Sequence, residues 1–112
     1  MTRAKLVKEA DRVFSLWIRK RDGNRCVQCG SREQLTCGHI ISRRIQSVRF
    51  DEYNCHCQCW GCNSGHRYWP HKYTAWYVEK FGRESYLRLV ERSRSLKQWK
   101  SNNLRELILK YK

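Results

Sequence analysis

The stretch Tyr53-Asn54-Cys55-His56-Cys57-Gln58-Cys59-Trp60-Gly61-Cys62-Asn63 holds most of what this chain discloses. Its Cys59-x-x-Cys62 hook answers an earlier hook, Cys26-Val27-Gln28-Cys29, thirty residues upstream. Together the two hooks offer four thiolates, the ligand set of a closed, tetrahedral structural zinc site. Cys55, Cys57 and Cys59 alternate, so on a strand they share one face, and Cys57 is the substitute ligand for any member of the four. Cys37 and Cys55 read as small buried hydrophobes. Between the hooks lie Gly38-His39 and a lone Asn54, and Asn63 follows the second hook at once.

Working outward, the chain has 112 residues, the size of one domain with a modest core that gains from a metal staple. Lys and Arg number 24 against 10 acidic residues, a formal charge of +14. Four thiolates and one Zn²⁺ would leave about +12. So large a positive charge on so short a chain fits a polyanionic partner, and nucleic acid is the expected one. Seven cysteines, an odd number, argue against a closed disulfide framework and for metal binding in a reducing compartment. No apolar run approaches the ~20 residues of a spanning helix, so no membrane partner is expected. Met1 to Lys5 open no signal-peptide apolar region, which makes the cytoplasm the default location.

Three segments organise this single domain: an N-terminal helix (1–22), a zinc-stapled core (23–70) and a helical C-terminal part (71–112). Leu6, Ala10, Val13, Phe14, Trp17 and Ile18 recur at steps of three and four and predict an amphipathic helix over 3–21. Asp22-Gly23-Asn24 ends it, and Gly30 serves the tight turn of the first knuckle. Residues 34–41 and 53–58 read as paired strands, joined by a loop that carries Arg43, Arg44 and Arg49. The second hook should open a helix with Asn63 in its first turn, and Pro70 restarts a helix at its first position. Tyr73, Trp76, Tyr77 and Phe81 form a stripe capped by Gly82. Tyr86, Leu87, Leu89 and Val90 mark a further helix. Leu104, Leu107, Ile108 and Tyr111 mark the last, with Asn103 and Glu106 spaced like a capping box. The apolar face of that last helix serves equally as a dimer surface or as intramolecular packing. The fold class is therefore small α+β.

A histidine ending one strand, an asparagine opening the next, and a metal-binding Asn nine residues later resemble the HNH, or ββα-metal, nuclease superfamily; here these are His39, Asn54 and Asn63. The likeness narrows in three stretches: Asp11-Arg12-Val13-Phe14-Ser15-Leu16-Trp17-Ile18-Arg19-Lys20-Arg21-Asp22, Gly38-His39-Ile40-Ile41-Ser42-Arg43-Arg44, and Arg49-Phe50-Asp51-Glu52-Tyr53-Asn54-Cys55-His56-Cys57-Gln58-Cys59. These resemble the NinG/Rap recombination endonuclease family of lambdoid phages, over roughly residues 11–82. The resemblance implies a divalent-metal-dependent DNA endonuclease for branched recombination intermediates, Holliday junctions or D-loops. It places the protein in the host cytoplasm if phage-encoded. Two cuts at a junction imply a homodimer.

The resemblance also implies the roles. His39 would be the general base, a task that imidazole suits because its unperturbed pKa is about 6.5. Asn54 would pin the inter-strand loop and help orient His39. Asn63 would hold the catalytic Mg²⁺ or Mn²⁺, which stabilises charge on the scissile phosphate and departing oxygen. Many HNH enzymes carry an acidic metal ligand just before the base, where this chain has Gly38. His66, one helical turn beyond Asn63, is a candidate second ligand. His56, on the strand face opposite the cysteines, is a candidate for an active-site role. Arg43, Arg44, Arg49, Arg67 and Lys72 are candidate phosphate contacts. Trp60, Tyr68, Trp69, Tyr73, Trp76 and Tyr77 read chiefly as core, with Trp69 the best exception beside Pro70. Two rivals stand against this reading: a non-catalytic zinc module that binds DNA, and a duplex or nicking HNH endonuclease.

Overall fold

The computed structural model describes residues 1–65 and 68–112. Helix α1 spans Arg3–Arg21; the Thr2 hydroxyl caps it by accepting from the Lys5 N–H at 3.2 Å, and Arg19, Lys20 and Arg21 complement its C-terminal dipole. Leu6, Ala10, Val13, Phe14 and Ile18 form its buried stripe, as the sequence predicts. Gly23 and Asn24 then take positive φ, 75° and 52°, and turn the chain into the first knuckle. The Asp22 carboxylate accepts from the Cys57 N–H at 2.8 Å, fastening the helix end to the sheet.

Strands β1 (Leu35–His39) and β2 (Cys55–Cys59) form an antiparallel hairpin whose register pairs Leu35 with Cys59, Cys37 with Cys57, and His39 with Cys55. The intervening loop carries one short turn of helix, α2 (Gln46–Arg49). Helix α3 (Trp60–Gly65) follows β2 directly, and α4 (Pro70–Phe81) begins with its proline at the first position. Helix α4 ends at Gly82, with φ at 93°, a backbone region that favours glycine. Helices α5 (Arg83–Ser93) and α6 (Ser101–Tyr111) complete the chain.

The hairpin separates two cores. On one face Cys55 meets Leu6, Ala10, Phe14 and Ile18 of α1, together with Phe50 and with Leu104 and Leu107 of α6. Phe14 makes edge contacts with Phe50 at 5.6 Å and with Tyr111 at 4.9 Å. On the other, Ile40 and Val48 pack with Tyr73, Tyr77 and Leu89 of α4 and α5.

Packing decides two points left by the sequence of α6. Leu104 and Leu107 take the intramolecular alternative and are not free for a dimer contact, being buried in the α1 core, while Leu109 stays exposed. Nor is Asn103 the start of a capping box with Glu106. The helix begins at Ser101, and Asn103 reaches back to accept from the Lys100 N–H at 3.3 Å.

Candidate metal centre and basic cleft

The four cysteines of the two hooks converge. The Sγ atoms of Cys26, Cys29, Cys59 and Cys62 all lie within 4.8 Å of one another, and Cys29 and Cys59 are 3.6 Å apart. A tetrahedral zinc site with Zn–S near 2.3 Å has sulfur–sulfur edges of about 3.8 Å, so the set fits zinc. The local fold prepares it. Gly30, at φ 80°, lets its N–H reach the Cys26 carbonyl at 2.9 Å, and the Cys62 N–H points at Cys59 Sγ at 3.4 Å. Burial raises Cys26, but the N–H groups of Cys29, Cys59 and Gln28 outweigh it and bring its pKa down to about 7. Burial and the neighbouring sulfurs push Cys62 up, a crowding of thiols that a divalent cation relieves. Cys57 is not needed as a substitute ligand. It lies outside the tetrad, fully buried, its pKa pushed up by burial to about 11.

Asn54 is wholly buried and makes three hydrogen bonds across the loop. Its Oδ1 accepts from the Ile41 N–H at 2.8 Å, and its Nδ2 donates to the carbonyls of Ile41 at 2.9 Å and Val48 at 3.0 Å. These bonds hold the turn from which the Arg49 carbonyl reaches His39 Nε2 at 2.9 Å. A carbonyl only accepts, so Nε2 carries the proton and the neutral ring keeps its lone pair on Nδ1. Burial holds His39 below the ordinary imidazole range, with the Arg49 carbonyl opposing and the Arg43 charge adding to the lowering. The ring is thus neutral at pH 7, the form a general base requires.

Asn63 sits on the fourth residue of α3. The Thr36 hydroxyl donates to the Gln58 carbonyl at 2.8 Å, so its oxygen must accept from Asn63 Nδ2 at 3.0 Å. That fixes the amide orientation and leaves Oδ1, a hard oxygen donor, without a hydrogen-bond partner among the described residues. His39 and Asn63 line the same cleft, of about 960 Å³, and the opposite wall is α1, with Lys8, Asp11, Arg12, Ser15 and Arg19. Asp11 is the carboxylate in this lining, and both its oxygens are engaged by Arg49, at 3.0 and 2.5 Å. A divalent ion here would therefore take Asn63 Oδ1 and keep most of its waters, as Mg²⁺ does.

Not every sequence-predicted residue joins the cleft. His56 lies on the other sheet face, 4% exposed, stacked on Phe81 at 5.4 Å and edge-on to Trp76 at 5.0 Å. Burial lowers its pKa to about 4, and the Arg21 charge adds to this. Arg43 is exposed and lines the cleft; Arg44 is exposed but does not line it. Arg49 spends its guanidinium on Asp11 while its backbone serves His39. Lys72 lies over the Trp69 ring at 5.8 Å, beside a separate hollow with Gln28 and Cys62. His66 and Arg67 lie outside the described residues.

Gly38 points away from the cleft as well. A Cβ there would come within 1.7 Å of Oε1 of Gln58, itself fully buried. The absent carboxylate thus leaves room for a packed glutamine, whose amide hydrogen-bonds Gln28. What sequence reasoning underrated was α1. Lys8, Arg12, Ser15 and Arg19 recur at steps of three and four, a polar stripe that becomes the cleft wall. The aromatics divide. Tyr73 and Tyr77 are core, whereas Trp60, Tyr68 and Trp69 are 62%, 72% and 57% exposed.

Fold and site together define a small α+β domain, a β-hairpin stapled by four clustered thiols with a basic cleft against its first helix. The chain belongs to the family described as Bacteriophage Lambda NinG protein, which matches it over residues 1–112. No curated protein and no solved structure gives a significant match. Among the described residues, no helix is long and apolar enough to cross a membrane.

Proposed function

We propose that this protein is a divalent-metal-dependent DNA endonuclease of the HNH type that cuts branched recombination intermediates. The observation that carries this reading is the pairing, in one basic cleft, of a neutral His39 with a free Nδ1 and an Asn63 whose Oδ1 is oriented for a cation. His39 Nδ1 takes a proton from a water as that water's oxygen forms a bond to phosphorus. The bond from phosphorus to the 3′ oxygen breaks, and the departing oxygen is protonated from solvent. The bound divalent ion supplies charge stabilisation at the phosphate and the departing oxygen. Arg43 and the α1 side chains Lys8, Arg12 and Arg19 draw the phosphate backbone into the cleft. Asn54 and the Arg49 carbonyl hold the imidazole at its angle.

Family membership and the exposed aromatics favour branched DNA over plain duplex. Trp60 and Tyr68 border Asn63 and offer stacking faces to unpaired bases. Cutting both strands of a junction needs two copies of the chain, brought together by a surface other than the buried face of α6.

The test is cleavage of a synthetic four-way junction, a flap and a linear duplex, at equal salt with Mg²⁺ or Mn²⁺. The junction should be cut fastest, and His39→Ala should slow cutting by about 10²–10⁴-fold. Binding without cleavage under every divalent ion would instead make this a zinc module that holds DNA. Equal rates on junction and duplex would make it a general HNH nuclease.

A further inference from the structure

We propose that Cys37, His39 and Cys55 form a second metal site, a three-ligand site for a soft divalent ion such as Zn²⁺ with its fourth position open to the cleft. The three residues fall on one face of the hairpin, since His39 pairs with Cys55 across the strands and Cys37 lies two residues from His39. Their ligand atoms, two Sγ and one ring nitrogen, all lie within 4.8 Å of one another. Tetrahedral zinc needs about 3.8 Å between sulfurs and about 3.5 Å from sulfur to nitrogen, so closure takes movements of about 1 Å.

Three further features point the same way. His39 donates Nε2–H to the Arg49 carbonyl at 2.9 Å, the outer hydrogen bond that metal-ligating histidines habitually make, and this frees Nδ1 as a ligand. Cys37 and His39 both line the cleft, so an ion has a way in. Cys55 is fully buried and closes the site from beneath. Two thiolates and an imidazole select Zn²⁺ or Cd²⁺ and reject Mg²⁺. The site is distinct from the four-cysteine cluster, because Cys55 and Cys59 stand at opposite ends of β2, about 13 Å apart.

An ion held this way occupies the Nδ1 lone pair that would otherwise accept the proton from water. Zinc beyond the structural equivalent therefore switches cleavage off. This consequence rests on the nuclease reading above, whereas the site itself does not.

The experiment starts from fully reduced protein already holding its one structural Zn²⁺ and adds further Zn²⁺, or Co²⁺ as a spectroscopic probe, for the wild type, Cys37→Ser and Cys37→Ala, with equivalents counted in total. Position 37 is half-buried at the cleft wall, so both variants should fold, and the cleavage of each is compared with its own rate at one equivalent of Zn²⁺. Two equivalents are expected in the wild type and one in each variant, with the thiolate–Co²⁺ absorption still growing at the second equivalent only in the wild type. Saturation of the wild type at one equivalent, or two equivalents in the variants, overturns the site. In the cleavage arm, a second equivalent of Zn²⁺ in the presence of Mg²⁺ should slow the wild type at least about tenfold and leave Cys37→Ser unaffected. Equal inhibition of both overturns the inhibitory role. If the wild type never cuts, the metal count still decides the site and the nuclease reading alone falls.

Discussion

His39 and His56 stand on the same two-stranded hairpin, on opposite faces, and meet opposite fates. His39 closes the strand on the side of α1, where arginines, a fixed asparagine and an open cleft surround it. His56 lies on the side of α4, boxed by Tyr73, Trp76, Tyr77 and Phe81. Both imidazoles have lowered pKa values, and burial is the largest cause in each. A perturbed pKa alone therefore does not mark a functional group. What separates the two is access: one ring keeps its free nitrogen beside a basic cleft, and the other is walled in by aromatics.

The largest effect that would break this contrast is loss of the scaffold shared by both faces. Stripping the four-cysteine cluster of metal, or replacing Cys59 with Ala, should abolish cooperative melting, because binding free energy at such a site is folding free energy. A chelated sample with an unchanged thermal transition would contradict the staple. Next comes the loop that serves His39. Asn54→Leu strands the Ile41 N–H and the Ile41 and Val48 carbonyls, and should cost about 3 kcal/mol or more in denaturant titrations.

A similar or smaller effect belongs to the aromatic face. His56 titrates near 4 when folded and near 6.5 when unfolded, so between those values the unfolded chain binds the extra proton. Stability is then complete above about pH 6.5 and declines towards pH 4, by about 3 kcal/mol from this group. His56→Phe should flatten that part of the pH–stability curve; an identical slope in wild type and variant would deny the burial. On the cleft face the same logic acts on rate. With burial holding the pKa of His39 below the ordinary imidazole value, the acidic fall in cleavage should lie at lower pH than an unperturbed imidazole would give, and a fall centred at or above about pH 6.5 would contradict it. The smallest effect concerns the rim. Arg43→Ala should weaken junction binding modestly and reduce its salt slope by about one, whereas Lys72→Ala, outside the cleft, should leave cleavage close to wild type.

Much of this was legible in the chain because short-range periodicity carried it. The stripe of α1, the alternation in β2, the two hooks, and Pro70 and Gly82 are local signals, and each element formed where those signals placed it. The loop pin by Asn54 was legible only through the resemblance, since an asparagine after a loop reads by itself as an ordinary turn residue. Long-range packing was not. Which face of the hairpin would meet α1 decided the surroundings of His39 and His56, and nothing local in the sequence ranks those partners. From the sequence, the exposed α1 residues Lys8, Arg12 and Arg19 offer only non-specific affinity; their place in the cleft wall appears once α1 is laid along β1. Likewise Cys37 and Cys55 read as small hydrophobes, because only the strand register brings them beside His39.

Under the proposed function, catalysis belongs to the His39 face and support to the His56 face. One paired measurement addresses it: junction cleavage and thermal melting of His39→Ala and His56→Phe, beside the wild type, in Mg²⁺ at fixed salt. His39→Ala should lose cleavage while binding the junction and melting like the wild type, and His56→Phe should keep cleavage while its pH dependence of melting changes. Undiminished cutting by His39→Ala, or loss of cutting by a well-folded His56→Phe, would contradict it.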